Sequence, residues 1–503
     1  MRSDDLGSRV WHIGEVETMT SAAVRTVETG VVKGDKPLLV SGAPATRLNG
    51  LLMTFEVARY GLDPDQGLVR RIAGRDITRW RCGNRNFVGL THPDYIDHVF
   101  HAGRLNYHKS FEFELLRALL GLNLFTDEEE SWQWHRTLLN PMFAKRRLNG
   151  LVDLMIEPIE EMVAEIDSQG DGPIEMSLSD AMVRLTLNIV GNALFGRQFG
   201  AISDAMSDKV TAGLRFGVKF LRLFLIAEPP RWLFRTVMRG AFLPVPLPWP
   251  FRHVQVVAKT LDKAVWDLVR DRKANPIDGV DLLNYMLTTE AEDGKPLSDK
   301  RVRDESITFM LAGHETTANA LSWMWYLLAL NTNARDRMLA EIDQVLQGRT
   351  PGADDLSKLP WTTACFLEAM RYYSPAWIVP RVAVKDDVIG GHRIRKGTTI
   401  IMPGHLVHHD ERWWADPDEF DPSRFLPGEG KDRPRSAYMP FGGGKRICIG
   451  QSFATMESVL VTAILSQHFV FDLKPGHPVD PEGTLTLRPR HGLQAIARRR
   501  HVA

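Results

Sequence analysis

The run Phe441-Gly442-Gly443-Gly444-Lys445-Arg446-Ile447-Cys448-Ile449-Gly450 sets one cysteine at the end of a glycine-rich loop, just before a helical pattern from Gln451 to His468. A cysteine near a helix N-terminus sits by the positive end of the peptide dipoles, which favours thiolate over thiol. The glycines permit tight turns and remove bulk, so backbone N–H groups can point at the sulfur and a flat ligand can lie close. Arg446 offers a cation to an anionic group on that ligand. A single thiolate cannot make a zinc or iron–sulfur site, but it can be the one axial ligand of a haem iron. The bland alternative is a glycine turn around a structural cysteine.

Three further groupings carry chemistry. Trp132 and Arg136 are one helical turn apart, so an indole N–H and a guanidinium can grip one carboxylate together. Ala312-Gly313-His314-Glu315-Thr316-Thr317 interrupts a strong helical pattern with poor helix formers, as function requires when it overrides propensity. A threonine hydroxyl there either bonds back to its own helix or turns outward to hold a water, a proton path beside a bound oxidant. Ala312, Gly313, Thr316 and Thr317 fall on or near one helix face, and His314 points away from it. Glu368 and Arg371 stand at i, i+3, a spacing that commonly marks an ion pair.

Taken in order, these segments resemble the cytochrome P450 family. The cysteine loop matches F-x-x-G-x-R-x-C-x-G at Phe441, Gly444, Arg446, Cys448 and Gly450. The family's W-x-x-x-R, A-G-x-[D/E]-T-[T/S] and E-x-x-R motifs are matched too. Its arginine segment appears as Pro422-Ser423-Arg424-Phe425, with Ser423 where a glutamate is usual.

The resemblance implies a haem-thiolate monooxygenase that uses dioxygen and two electrons on an apolar small organic substrate. Cys448 would bind the iron of haem b. Arg446, Trp132, Arg136 and Arg381 would anchor its propionates, with Phe441 and Gly450 shaping the loop. Thr316, backed by Glu315, would organise proton delivery. Glu368, Arg371 and Arg424 would form a buried network fixing the loop. Electrons would come from NAD(P)H through a separate ferredoxin or flavodoxin-type protein, docking near Lys445 and Arg446. Peroxide-using or isomerising relatives often lack the acid–threonine pair, so Glu315 and Thr316 favour oxygen activation.

Composition narrows the setting. Lys+Arg and Asp+Glu are both 62, so no global basic field exists for nucleic acid. Cys82, Cys365 and Cys448 contain no C-x-x-C pair, which argues against a disulfide framework. Residues 1 to about 30 lack the apolar run of a signal peptide or membrane anchor. Sparse cysteines suit a reducing compartment, and the resemblance implies a cytoplasmic monomer, with residues 1–50 as an N-terminal segment without an anchor and 51–503 as the haem-thiolate domain.

Periodicity gives the helices and strands, and the resemblance implies how they are arranged around the haem. The fold class is mainly α with small β-sheets, a single domain with a long central helix over the haem, from about Ser298 to Leu330. Small strands are expected between about 68 and 92 and at Thr398 to Met402, and a helix from Pro93 to Phe100. Phe111, Phe113 and Leu119 serve equally as cavity wall or local core. The resemblance implies that the aromatic, basic and proline-rich stretch 216–251 is a lid over the active site, and its apolar and basic residues leave peripheral membrane contact open. Arg498-Arg499-Arg500 reads as a solvated tail.

Overall fold

The computed structural model describes residues 46–47, 71–196, 228–229, 251–277, 281–290 and 294–500. Backbone contacts divide the chain into Met1–Val40 and Ser41–Ala503, and everything described lies in the second unit. Apart from 228–229 and 251, the expected lid at 216–251 falls outside the described residues, as does nearly all of the N-terminal segment.

Helices dominate, with α1 at Pro93–Phe100, α2 at Glu129–Leu139, α3 at Leu178–Phe195, α4 at Asp299–Leu330, α5 at Pro360–Tyr372 and α6 at Gln451–His468. α4 is the long helix, 32 residues, and its start is specified locally. Ser298 caps it by accepting the Arg301 N–H, satisfying one of the donors a helix N-terminus leaves over. Twenty-one of the 32 residues of α4 are buried, and that packing offsets the helix-weakening Gly313. No helix among the described residues is long and apolar enough to cross a membrane.

α3 packs along α4 more extensively than any other element. Gly313 belongs to that seam, since a Cβ there would come within 2.9 Å of Val190 Cγ2. The expected shared face therefore divides. Ala312 is exposed and Thr316 half-buried, whereas Thr317 is buried and Gly313 faces α3. His314 is buried with Nδ1 2.8 Å from the Met310 carbonyl, as its place off that face implies.

A six-stranded sheet flanks the helices. With β1 at Thr46–Arg47, β2 at Ile77–Cys82, β3 at Arg85–Leu90, β4 at Tyr107–His108, β5 at Val379–Ala383 and β6 at Thr399–Met402, its order is β1-β2-β3-β6-β5-β4. β5 pairs antiparallel with β6, placing Arg381 opposite Ile400. A second sheet joins Phe469–Leu473 to Gln494–Arg499 and Ile174–Ser177. The terminal arginines are thus not a free tail. Arg498 and Arg499 are strand residues, Arg499 bridges to Asp167 at 2.6 Å, and Arg500 pairs with Asp343 at 2.6 Å. Sheet pairing and fixed carboxylates override what a basic terminal run suggests.

Candidate active site

The loop carrying Cys448 is held by α1 below it and α2 beside it. Gly442 and Gly444 adopt φ of +75° and +66°, where a side chain is strained. A Cβ on Gly443 would lie 2.5 Å from Phe100 Cδ2, and one on Gly444 would overlap the Phe100 carbonyl oxygen. The loop closes on itself through the Cys448 N–H, which donates to the Phe441 carbonyl at 3.0 Å.

Cys448 is the accessible cysteine, whereas Cys82 and Cys365 are buried. Desolvation nevertheless pushes its thiol above the ordinary range, against the Gly450 N–H and the Arg136 guanidinium. A bound cation would displace the proton from this thiol.

Trp132 and Arg136 both reach the cysteine loop. Arg136 donates to the Ile447 carbonyl at 2.7 Å. The Trp132 ring is covered by Arg446, 4.5 Å from guanidinium carbon to ring centroid. Arg446 also donates to the Asp127 carbonyl at 2.9 Å and pairs with Glu128. It is turned inward, which leaves Lys445 as the exposed charge of the pair.

A cluster of cations lies behind these contacts. Burial lowers the Arg381 guanidinium to about 10, helped by Arg446 and opposed by Glu128. Lys109 is driven further, by burial and by Arg446, Arg381 and Arg117, with Glu128 again opposing. Lys109 was not singled out from sequence, because no local pattern marks it. It stands over the rings of Phe113 and Phe125, 5.0 Å from each centroid. Phe111 is buried, while the Leu119 side chain lies outside the described residues.

On α4 the acid and the hydroxyl diverge. The Thr316 hydroxyl bonds back to the Ala312 carbonyl at 2.7 Å. Glu315 does not stand behind Thr316; its Oε1 accepts from Thr486 at 2.9 Å, and Thr486 accepts from Asn319 at 3.2 Å. Glu457 on α6 is fully buried near Thr317, and burial holds its carboxyl well above the usual range against a hydrogen-bonding pull from Thr317. The sequence carries a signal for it, an acid on the apolar stripe of a helix with Phe453, Leu460 and Ile464.

Under the loop, Arg371 and Glu368 form a bidentate pair with both bonds at 2.8 Å, neither side chain exposed. Arg371 also donates to the carbonyls of His408, Pro417 and Glu419. Arg424 approaches Glu368 at 3.4 Å and donates to the Asp416 carbonyl at 2.9 Å. This pair is fully satisfied, the condition under which buried charge is tolerated.

His135 ties the two sides together. It is buried between Asp127 Oδ2 at 3.2 Å and Glu305 Oε1 at 2.5 Å. Burial opposes its charge, but both carboxylates favour it, and its pKa rises to about 8.

The arrangement suits an iron porphyrin. Among the described residues no group of three or more His, Cys, Asp or Glu is arranged to hold a metal ion. A metal at Cys448 must therefore bring most of its ligands with it. Side-chain-free glycines leave room beside the sulfur, and the cations of Lys109, Arg381 and Arg446 suit a ligand with carboxylates on its edge.

Comparison with known proteins agrees. Residues 70–495 match the family model described as Cytochrome P450. A Mycobacterium tuberculosis protein named cytochrome P450 132 is 53% identical over 457 residues, covering 91% of this chain and 97% of its own length. Cyclooctat-9-en-7-ol 5-monooxygenase of Streptomyces melanosporofaciens is 29% identical, covering 82% of this chain and 86% of its own. The crystal structure of the cytochrome P450DA heme domain superposes with a TM-score of 0.76 at 24% identity, covering 92% of this chain and 98% of that one.

Proposed function

The chain belongs to the cytochrome P450 family of haem-dependent, oxygen-incorporating oxidoreductases, and from that premise we propose that it hydroxylates or otherwise oxidises an apolar small organic molecule, with electrons drawn from NAD(P)H through a separate ferredoxin or flavodoxin-type protein. The observation that carries the reading is the accessible Cys448 in a glycine-rich loop whose Arg446 lies among the half-buried Lys109 and Arg381. Bound there, haem b would supply dioxygen activation, one oxygen atom entering the substrate and the other leaving as water.

The chain's own residues would do the rest. Cys448 would ligate the iron as thiolate, its proton displaced on binding. Arg446, Arg381 and Lys109 would meet the propionates, with Trp132 and Arg136 fixing Arg446 and the Ile447 carbonyl. Thr316, released from the Ala312 carbonyl, would hold water on the substrate side. Glu315 would pass protons after leaving Thr486. Lys445 would supply docking charge.

A substrate with a hydrocarbon skeleton is supported by the relative named for cyclooctat-9-en-7-ol. The protein is proposed to act as a cytoplasmic monomer, residues 51–503 forming the haem domain. The test is optical. Reduced protein under carbon monoxide should show the long-wavelength band of thiolate-bound haem, lost in Cys448→Ala. Hydrocarbon-like compounds should displace the water ligand from ferric haem, and turnover should require a ferredoxin or flavodoxin. Absence of the band in the native protein would overturn the reading.

A further inference from the structure

His408 lies between the buried ion pair and the cysteine loop and is fully buried itself. Its Nδ1 is 3.1 Å from the carbonyl of Arg371, the arginine of that pair. Its Nε2 is 3.0 Å from the backbone nitrogen of Met439, two residues before Phe441. Those partners determine the ring's protonation. A carbonyl can only accept, so Nδ1 must carry the hydrogen. A backbone N–H can only donate, so Nε2 must present its lone pair. An imidazolium would set N–H against N–H.

The surroundings hold the ring in that neutral form. Burial, then His409, Arg371 and His405, all work against protonation, and only the Arg371 carbonyl favours it. Trp414 and Tyr438 close the sides with ring centroids 6.4 and 5.6 Å away.

The contacts form one line. Glu368 holds Arg371, whose guanidinium donates to the His408 carbonyl and whose own carbonyl receives the His408 ring. The ring receives Met439, and Phe441 receives the Cys448 N–H. We infer that His408 is a positioning residue for the sulfur, a fixed neutral tautomer that carries the rigidity of the Glu368–Arg371 pair into the start of the cysteine loop. It touches neither the ligand nor the sulfur. The inference rests on the reading of Cys448 as the haem ligand.

The ring's two contacts can be separated by substitution. In His408→Gln the amide oxygen reaches the place of Nε2 and still accepts from Met439. In His408→Asn the amide nitrogen matches Nδ1 and keeps only the Arg371 contact. Leaving the Met439 N–H unpaired in the interior should shift the balance between seated and displaced loop about five- to thirtyfold. His408→Asn should therefore lose much of the thiolate-type carbon monoxide band, while His408→Gln should retain most of it.

A second readout needs no haem. In the full chain stripped of haem, a thiol reagent should label Cys448 about fivefold or more faster in His408→Asn than in His408→Gln. Buried Cys82 and Cys365 should stay unlabelled in both and so report any general unfolding. Equal bands and equal labelling rates in the two variants would overturn the inference, as would exposure of all three cysteines together in His408→Asn. A native protein without the thiolate band would instead count against the haem reading, and the labelling ratio would still judge the link.

Discussion

The Arg446 guanidinium lies over the Trp132 indole, 4.5 Å from the ring centroid, although 314 positions separate the two residues. The cysteine loop and α2 are thus clamped by a cation–π contact, and the same guanidinium donates to the Asp127 carbonyl at the entrance to α2. Such a contact contributes about 0.5–2 kcal/mol. Trp132→Phe should retain most of it and Trp132→Ala should not. Haem-loss rates for the two variants should differ by up to roughly tenfold. Arg446→Lys should resemble Trp132→Ala more than the native protein, because a lysine cannot stack and fork at once.

Thr316→Ala should leave haem binding intact and divert electrons into hydrogen peroxide. The measure is product formed per NAD(P)H consumed, with peroxide assayed in parallel. General acid–base contributions run to about 10²–10⁴-fold, so a large fall is expected if the hydroxyl organises protons. Unchanged coupling would remove Thr316 from that role.

Stability should fall on the alkaline side because of His135. Its pKa rises from an unfolded value of about 6.5 to about 8 in the fold. The folded state holds its proton more tightly, so the stabilisation is complete below the unfolded value and disappears as pH rises through about 8. The shift corresponds to about 2 kcal/mol. Arg301 Nη1, 3.3 Å from Nε2, opposes the charge, and Glu305 and Asp127 outweigh it. Melting temperatures of the native chain should drop between pH 6 and 9, with a shallower drop in His135→Gln.

Glu457 predicts a substitution that does no harm. Burial raises its carboxyl pKa well above the usual range, so ionisation is resisted in the fold and unopposed in the unfolded chain. Its contribution is therefore greatest below the unfolded carboxyl pKa and is lost as pH rises towards the raised folded value. Glu457→Gln, neutral at every pH, should melt at or above the native temperature at pH 8. Glu457→Asp should melt lower, since the shorter acid leaves a void.

Removing one member of the Glu368–Arg371 pair should be severe. Breaking a buried, fully paired ion pair costs about 3–5 kcal/mol, because the remaining charge has no water. Arg371→Ala should yield little folded protein, and Glu368→Gln should be the milder change. Yield and melting temperature after expression at low temperature measure both.

What could be read from the sequence was local. The Ser298 cap, the helix Gln451–His468 and the strand ending at Met402 all follow from spacing and terminal residues. What escaped depends on meetings between distant segments. Nothing near Lys109 marks it as a neighbour of Arg381 and Arg446, since its environment is assembled from three parts of the chain. Glu315 adjoins Thr316 in sequence, yet it bonds Thr486, 171 positions away. Arg498 to Arg500 show the same limit, because a basic run has one reading alone and another opposite Asp167 and Asp343.

The last turn of α1 sets a datum for the whole catalytic floor. With the Phe100 carbonyl and ring pressed against Gly444 and Gly443, the height of the sulfur is referenced to main chain, which cannot repack as a side chain would. Transplanting this loop into another scaffold therefore means transplanting Pro93–Phe100 as well. Libraries that diversify the glycines should return almost only glycine, whereas Lys445, which projects outward, should accept wide variation.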